Sequence, residues 1–357
     1  MANLGSSLPV PCVQELVKKP MVTVPSRYVR PERNAPMISD AALISEFPVI
    51  DMKKLVSDKS MDSELLKLHY ACKDWGFFQL VNHEVSSLLL EKLKKGIHEF
   101  FNLEMEEKKK FWQSPGEVEG FGQTFIVSEE QKLDWNDMFL MITQPPHLRK
   151  PHLFPKLPLP LREALEVYST EIKNLAMALT SKMAKALNMK GEEMIEFFED
   201  GLQAMRMNYY PPCPEAEKVL GVRSHSDSTG LTILLQLNDV EGLQIKKDGS
   251  WIPVTPLPDA FIVNIGDMLE MITNGEYRSI EHRAIVNSDQ ERLSIATFCN
   301  PKYNGEVGPA PSLITERTPP LFRRLTVEEF LTGLFTQENS DKCYLDTMRI
   351  HNGEDKN

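Results

Sequence analysis

The feature that most limits what this chain can fold into is a change of hydrophobic rhythm near residue 205. Beyond it, apolar runs of strand length recur at 230–237, 243–245, 251–254, 260–265, 278–286 and 293–298. Turn signals separate them: Asp248-Gly249 is a hairpin dipeptide, and Asn274-Gly275 and Asn287-Ser288-Asp289 mark further reversals. Strands this short and this closely spaced bury themselves only together, which predicts a sandwich or barrel of the jelly-roll kind. Upstream the period is helical. Leu161, Leu165, Tyr168, Ile172, Leu175, Leu179, Met183 and Leu187 recur at three- to four-residue steps within 161–200, as expected of a helix facing a core. Leu65, Leu68 and Cys72 predict an earlier helix, 76–81 a buried strand, 85–111 a charged helical stretch, and the proline-rich stretch 114–160 irregular structure.

The expected architecture is mixed α/β (α+β), a double-stranded β-helix (jelly-roll) core flanked by helices, with an α-rich N-terminal region. Its parts are an N-terminal arm at 1–46, an α/β region at 47–160, a helical support at 161–204, the jelly-roll core at 205–305 and a C-terminal helical segment at 306–357. A formal net charge of −11 argues against a nucleic-acid partner, which would require basic clusters. It argues, with less force, against a membrane-surface partner. No run of about 18 apolar residues occurs, so no membrane span is expected. The first residues carry no basic segment followed by an apolar run, so no secretory leader is expected either. Five scattered cysteines without a Cys-x-x-Cys pair indicate a reducing compartment. A monomeric cytoplasmic protein acting on a small molecule is the expectation.

Within the strand-rich region stands Ser224-His225-Ser226-Asp227-Ser228. In extended backbone, residues i and i+2 share a face, so His225 and Asp227 can grip one ion. A His-x-Asp by itself is common, and a lone histidine is more often structural. His282 follows 55 residues after Asp227, a separation that a jelly roll can close. Two imidazoles and one carboxylate are the ligand set of non-haem iron(II) oxygenases, and they leave open positions that suit a bidentate 2-oxo acid and O2. Ten residues further, Arg292-Leu293-Ser294 puts a guanidinium and a hydroxyl on one strand face, a pair suited to a carboxylate. A buried arginine beside a metal needs such an anion.

These residues resemble the plant iron(II)/2-oxoglutarate-dependent dioxygenases. His225-x-Asp227, His282 and Arg292-x-Ser294 match that family's signature, and the run from Met205 to Pro214 is similar to the strand preceding its first histidine. Trp75-Gly76-Phe77-Phe78-Gln79-Leu80-Val81-Asn82-His83 looks like its N-terminal hallmark. Glu119-Gly120-Phe121-Gly122-Gln123, Leu133-Asp134-Trp135 and the run from Leu148 to Phe154 resemble the branch holding codeine and thebaine demethylases and senescence-related dioxygenases. The likeness spans almost the whole chain. It implies iron(II) on His225, Asp227 and His282, with 2-oxoglutarate held by Arg292, Ser294, Tyr210 and Asn208. It implies O2 as oxidant and ascorbate as supporting reductant. Phe298, Phe121 and Phe125 are the implied substrate contacts. The implied reaction hydroxylates or O-demethylates an apolar plant specialised metabolite and releases succinate and CO2. A member that binds small molecules without turnover, and a zinc hydrolase on the same ligands, are the alternatives; the second gives Arg292 and Ser294 no purpose. Two departures stand out. Glu84 occupies a position where the family usually has glycine, with little functional effect expected. Val222-Arg223-Ser224 replaces a commoner Leu-Thr-Pro type before the metal motif, and Arg223 is read as a surface arginine near the site mouth.

Overall fold

Strands β1 (Val49–Asp51), β2 (Phe77–Val81), β3 (Gly120–Gly122) and β4 (Asp137–Gln144) precede the rhythm change. After it come β5 (Gln203–Tyr210), β6 (Val222–His225), β7 (Leu231–Gln236) and β8 (Leu243–Lys247). The series closes with β9 (Ser250–Pro253), β10 (Phe261–Ile265), β11 (His282–Ala284) and β12 (Arg292–Cys299). The protein is seen here as a computed structural model that describes residues 7–30, 47–114, 116–124, 126, 128–190, 192–336 and 343–350.

The strands form an eight-stranded sheet ordered β1-β2-β10-β7-β12-β5-β4-β3 and a four-stranded sheet ordered β6-β11-β8-β9. Side chains of both sheets line one cavity. The large sheet sorts its residues by the period of two. On β5, Met205, Met207 and Tyr209 enter the main apolar core, whereas Arg206, Asn208 and Tyr210 line the cavity. The core side is covered by the helix Leu159–Ala186, which buries Leu161, Leu165, Tyr168, Ile172, Leu179 and Met183 as its spacing predicted. That helix packs on β4, β7 and β12 and is itself covered by helices Met61–Tyr70 and Ser87–Phe101.

The β8–β9 hairpin turns on Asp248 and Gly249 with φ of 49° and 82°, the left-handed pair that an Asp-Gly dipeptide accommodates. Two expectations need correction. The eight-residue strand β4 lies inside the stretch expected to be irregular, because the prolines after it hide the apolar run from Met138 to Ile142. The strand expected over 278–286 shortens to His282–Ala284. Residues before it leave the ladder to dock on the N-terminal region, with Arg278 N–H donating to Cys72 O at 3.1 Å. The all-buried helix Asp267–Ile272 carries too few residues to show a period. Moreover, β1, β2, β3 and β4 complete the large sheet, so it extends well beyond 205–305.

Gly76 shows why the N-terminal hallmark holds a glycine. Its φ is +62°, and a Cβ there would stand 2.2 Å from Arg278 O. Glu84 also adopts a left-handed conformation, with φ of 64°, and its side chain is exposed. An L-residue there carries a steric cost of roughly 1–2 kcal/mol, partly offset by glycine's greater unfolded-state freedom. We therefore expect Glu84→Gly to stabilise the protein by about 0.5 kcal/mol, read as a higher urea midpoint at unchanged slope. A lowered midpoint would mean that the glutamate side chain contributes more than its backbone costs.

Candidate active site

The cross-strand register does what the sequence separation could not guarantee. β11 runs antiparallel to β6 with His282 opposite His225, and the ring centroids are 4.3 Å apart. Asp227 follows two residues beyond His225. Its Oδ1 lies 3.5 Å from His225 Nε2 and 3.7 Å from His282 Nε2. One ligand atom from each of the three residues falls within 4.8 Å of the others, the spacing of a single-ion site.

Each of the three groups is aimed by a second contact. His225 Nδ1 lies 2.8 Å from Arg223 O, and His282 Nδ1 lies 3.2 Å from Ile280 O. A carbonyl only accepts, so both Nδ1 atoms carry the proton and both Nε2 lone pairs face Asp227. Asp227 Oδ2 accepts from Thr232 Oγ1 at 2.6 Å and from Asn264 Nδ2 at 2.8 Å, which turns Oδ1 toward the histidines. Burial by itself would raise the Asp227 carboxyl. The neighbouring His282 and then His225 outweigh it and hold the group far below the usual carboxylate range. Burial, then the neighbouring His225, pushes His282 down to about 4, so it is neutral at physiological pH. An anionic carboxylate and a neutral imidazole are the forms a metal requires.

The anion-binding half lies on the large sheet. In the β5–β12 pairing, Arg292 stands opposite Tyr210 and Ser294 opposite Asn208. Asn208 Nδ2 donates to Ser294 Oγ at 3.3 Å. Arg292 is 2% exposed; its Nη2 donates to Gln236 Oε1 at 3.1 Å and its guanidinium lies 5.1 Å from the Tyr210 ring centroid. Its Nε has no partner, and no carboxylate forms an ion pair with it among the described residues. Burial lowers its pKa, with Tyr210 acting in the opposite sense. A buried cation without a counter-ion is costly, so this cavity is built for a ligand with a carboxylate. The donor set therefore fits both iron(II) and 2-oxoglutarate.

Of the expected substrate contacts, Phe298 lines the cavity. Phe121 does not: it is buried against Phe100 and Phe101, with the Lys108 ammonium 5.7 Å from its ring. Its position on β3, at the far edge of the large sheet, makes it core. Phe125 lies outside the described residues. Sequence reading missed Thr232 and Asn264, which orient Asp227, and Arg206, whose Nε donates to Asn208 Oδ1 at 2.7 Å. Asn264 did leave a signal, as the one polar residue within the run Phe261–Ile265.

Two family models match the chain. The 2OG-Fe(II) oxygenase superfamily matches residues 201–301, and the N-terminal region of non-haem dioxygenases in morphine synthesis matches 47–157. Protein SRG1 of Arabidopsis thaliana is 59% identical over 97% of this chain and 98% of its own length. An oxoglutarate-dependent flavonoid 7-O-demethylase of Ocimum basilicum is 54% identical over 98% and 93%. Thebaine 6-O-demethylase of Papaver somniferum is 53% identical over 98% and 99%. The crystal structure of JOX2 in complex with 2OG, Fe and JA superposes with a TM-score of 0.88 at 34% identity, covering 97% of this chain and all of that one.

Asp227→Ala should abolish iron(II) binding in an anaerobic titration. Asn264→Ala should weaken it by about 10- to 100-fold, since it removes only an orienting contact. Equal affinity of Asn264→Ala and the parent would show that the carboxylate needs no such support.

Proposed function

We propose a substrate class and a reaction outcome from one premise: the chain belongs to the 2-oxoglutarate–iron(II) oxygenase superfamily. It is an oxidoreductase that requires Fe(II), 2-oxoglutarate and O2. Our reading is an oxygenase that O-demethylates, or alternatively hydroxylates, an apolar plant specialised metabolite such as an aromatic or alkaloid ring system. A partly buried metal triad sharing one cavity with a buried guanidinium, which has no carboxylate partner among the described residues, is the observation that carries the cofactor assignment.

In this reading His225, Asp227 and His282 hold the iron. Arg292 and Ser294 take the distal carboxylate of 2-oxoglutarate, with Tyr210 and Asn208 completing its pocket. The bound iron, 2-oxoglutarate and O2 together supply an oxidant able to take hydrogen from an unactivated C–H bond. The chain's part is to fix geometry and exclude water. Asp227 and the histidines are already oriented toward one point, and Arg292 fixes the orientation of the keto acid along β12. Phe77, Leu234 and Phe298 offer the substrate an apolar wall. Oxidation of 2-oxoglutarate to succinate and CO2 takes up one oxygen atom, and the other is inserted into the substrate C–H bond. At an O-methyl carbon the resulting hemiacetal separates into an alcohol or phenol and formaldehyde.

Demethylation is favoured by two close relatives named as O-demethylases, one of a flavonoid and one of thebaine. The intact triad and the paired Arg292 and Ser294 speak against a binding-only member. We further read the protein as a cytoplasmic monomer with no nucleic-acid partner, aided by ascorbate in assays. The acidic charge and four buried free cysteines, Cys12, Cys72, Cys213 and Cys299, support that reading. Among the described residues no helix is long and apolar enough to cross a membrane.

With a panel of O-methylated aromatics and alkaloids, we expect a 2-oxoglutarate-dependent product lighter by one CH2, with matching formaldehyde. Products heavier by one oxygen would select hydroxylation, and no turnover across a broad panel would remove the substrate class. Arg292→Ala should raise the 2-oxoglutarate KM by at least about 30-fold, the loss typical of one partner of a buried charge pair. An unchanged KM would place the carboxylate elsewhere.

A further inference from the structure

The N-terminal arm joins an apolar cluster with residues of the two histidine-bearing strands. Val13, Val24 and Tyr28 share one apolar cluster with Tyr210, Val222 and Ala284. Val222 begins the strand that ends at His225, and Ala284 ends the strand that begins at His282. The arm thus shares an apolar cluster with both histidine-bearing strands, through residues that also line the cavity. Between arm and strand stands the segment around Trp135, whose ring meets Tyr28 edge-on at 5.1 Å and whose N–H donates to Leu220 O at 2.8 Å.

The polar link in this layer is Asp134. Its Oδ1 accepts from Arg30 Nη2 of the arm at 2.9 Å and from the backbone N–H of Arg223 at 3.1 Å. Arg223 is the residue whose carbonyl receives His225 Nδ1–H. Gln123 fixes Asp134 itself, donating to its carbonyl at 2.8 Å and accepting from its N–H at 3.3 Å. Arg30 is anchored in turn by its N–H on Lys218 O at 2.9 Å and by Nη2 on Lys132 O at 3.2 Å. A continuous run of contacts therefore leads from the arm through one carboxylate to the backbone that aims a metal-facing imidazole.

We propose that Asp134, held by Arg30 of the N-terminal arm, is a positioning residue that pins the Arg223 backbone and so sets the orientation of His225 toward the metal. The arm is then part of the metal site rather than a wrapping of the fold. Losing the Asp134 carboxylate leaves the Arg223 N–H without its acceptor and frees the strand end to twist. The Arg223 carbonyl moves with it, and the imidazole loses the contact that fixes its Nδ1–H tautomer. This inference rests on His225 being a metal ligand.

The test uses the full chain with Co(II) as an air-stable probe, read by affinity, by visible absorption and by amide exchange at Arg223. Asp134→Ala should weaken Co(II) by about 10-fold or more, shift its absorption bands and speed exchange at Arg223. Asp134→Asn, which keeps an acceptor oxygen, should recover most of the affinity. Arg30→Gln, which keeps Asp134 but removes its cation, should show a smaller loss in the same direction and serves if Asp134→Ala does not fold. Arg27→Ala is the control, since it cuts arm contacts to Gln131 O and Ser128 O without touching Asp134. Wild-type affinity in both Asp134→Ala and Arg30→Gln overturns the proposal, as does an equal loss in Arg27→Ala. If the parent binds Co(II) and His225→Ala does not, such a result refutes only the role of Asp134. If the parent itself fails to bind, the metal assignment falls and this proposal with it.

Discussion

The antiparallel pairing of two short strands, with His282 set against His225, is the constraint on which the rest of the site depends. It turns a separation of 57 residues between the histidines into neighbouring rings and leaves Asp227, just past the strand end, to close the triangle. Three ligand groups this close can meet one ion only if each is held in one orientation. Backbone carbonyls fix the imidazoles, and Thr232 with Asn264 fixes the carboxylate. A site prepared in this way loses little entropy on taking up an ion.

The two halves of the chemistry sit on different sheets. Both histidines belong to the four-stranded sheet, while Arg292, Ser294, Tyr210 and Asn208 belong to adjacent strands of the eight-stranded one. The spacing between the histidines and Arg292 is thus a sheet-to-sheet distance. The helix layer packs behind the large sheet, and the second apolar cluster joins Tyr210 of the large sheet to Val222 and Ala284 of the small one. This explains why a chain of 357 residues serves a site of seven side chains. Most of the molecule holds two sheets in register around one cavity.

Sequence reading found the strands it could see as isolated apolar runs. It lost β4, whose run is followed by prolines, and the helix Asp267–Ile272, which is shorter than two full turns. It picked out residues that the fold brings together, the His225, Asp227 and His282 group and the Arg292 and Ser294 pair, because ligand chemistry is carried by residue type and by order along the chain. Phe121 went astray for the opposite reason. An aromatic residue has the same apolar character in a core as in a pocket, and only its strand's place at the sheet edge sends it to the core.

What the sequence by itself determined was the donor set: two imidazoles, a carboxylate, and a guanidinium with a hydroxyl two residues on, in an order that a jelly roll can gather. What only the tertiary structure decided was which atom of each group faces inward, which phenylalanine meets the cavity, and that the arm shares an apolar cluster with both histidine strands. Donor type is a covalent property of each residue and survives in any conformation. Aim and burial arise from contacts between residues far apart in the chain, such as Asn264 with Asp227 or Asp134 with Arg223, and these exist only once the sheets have closed.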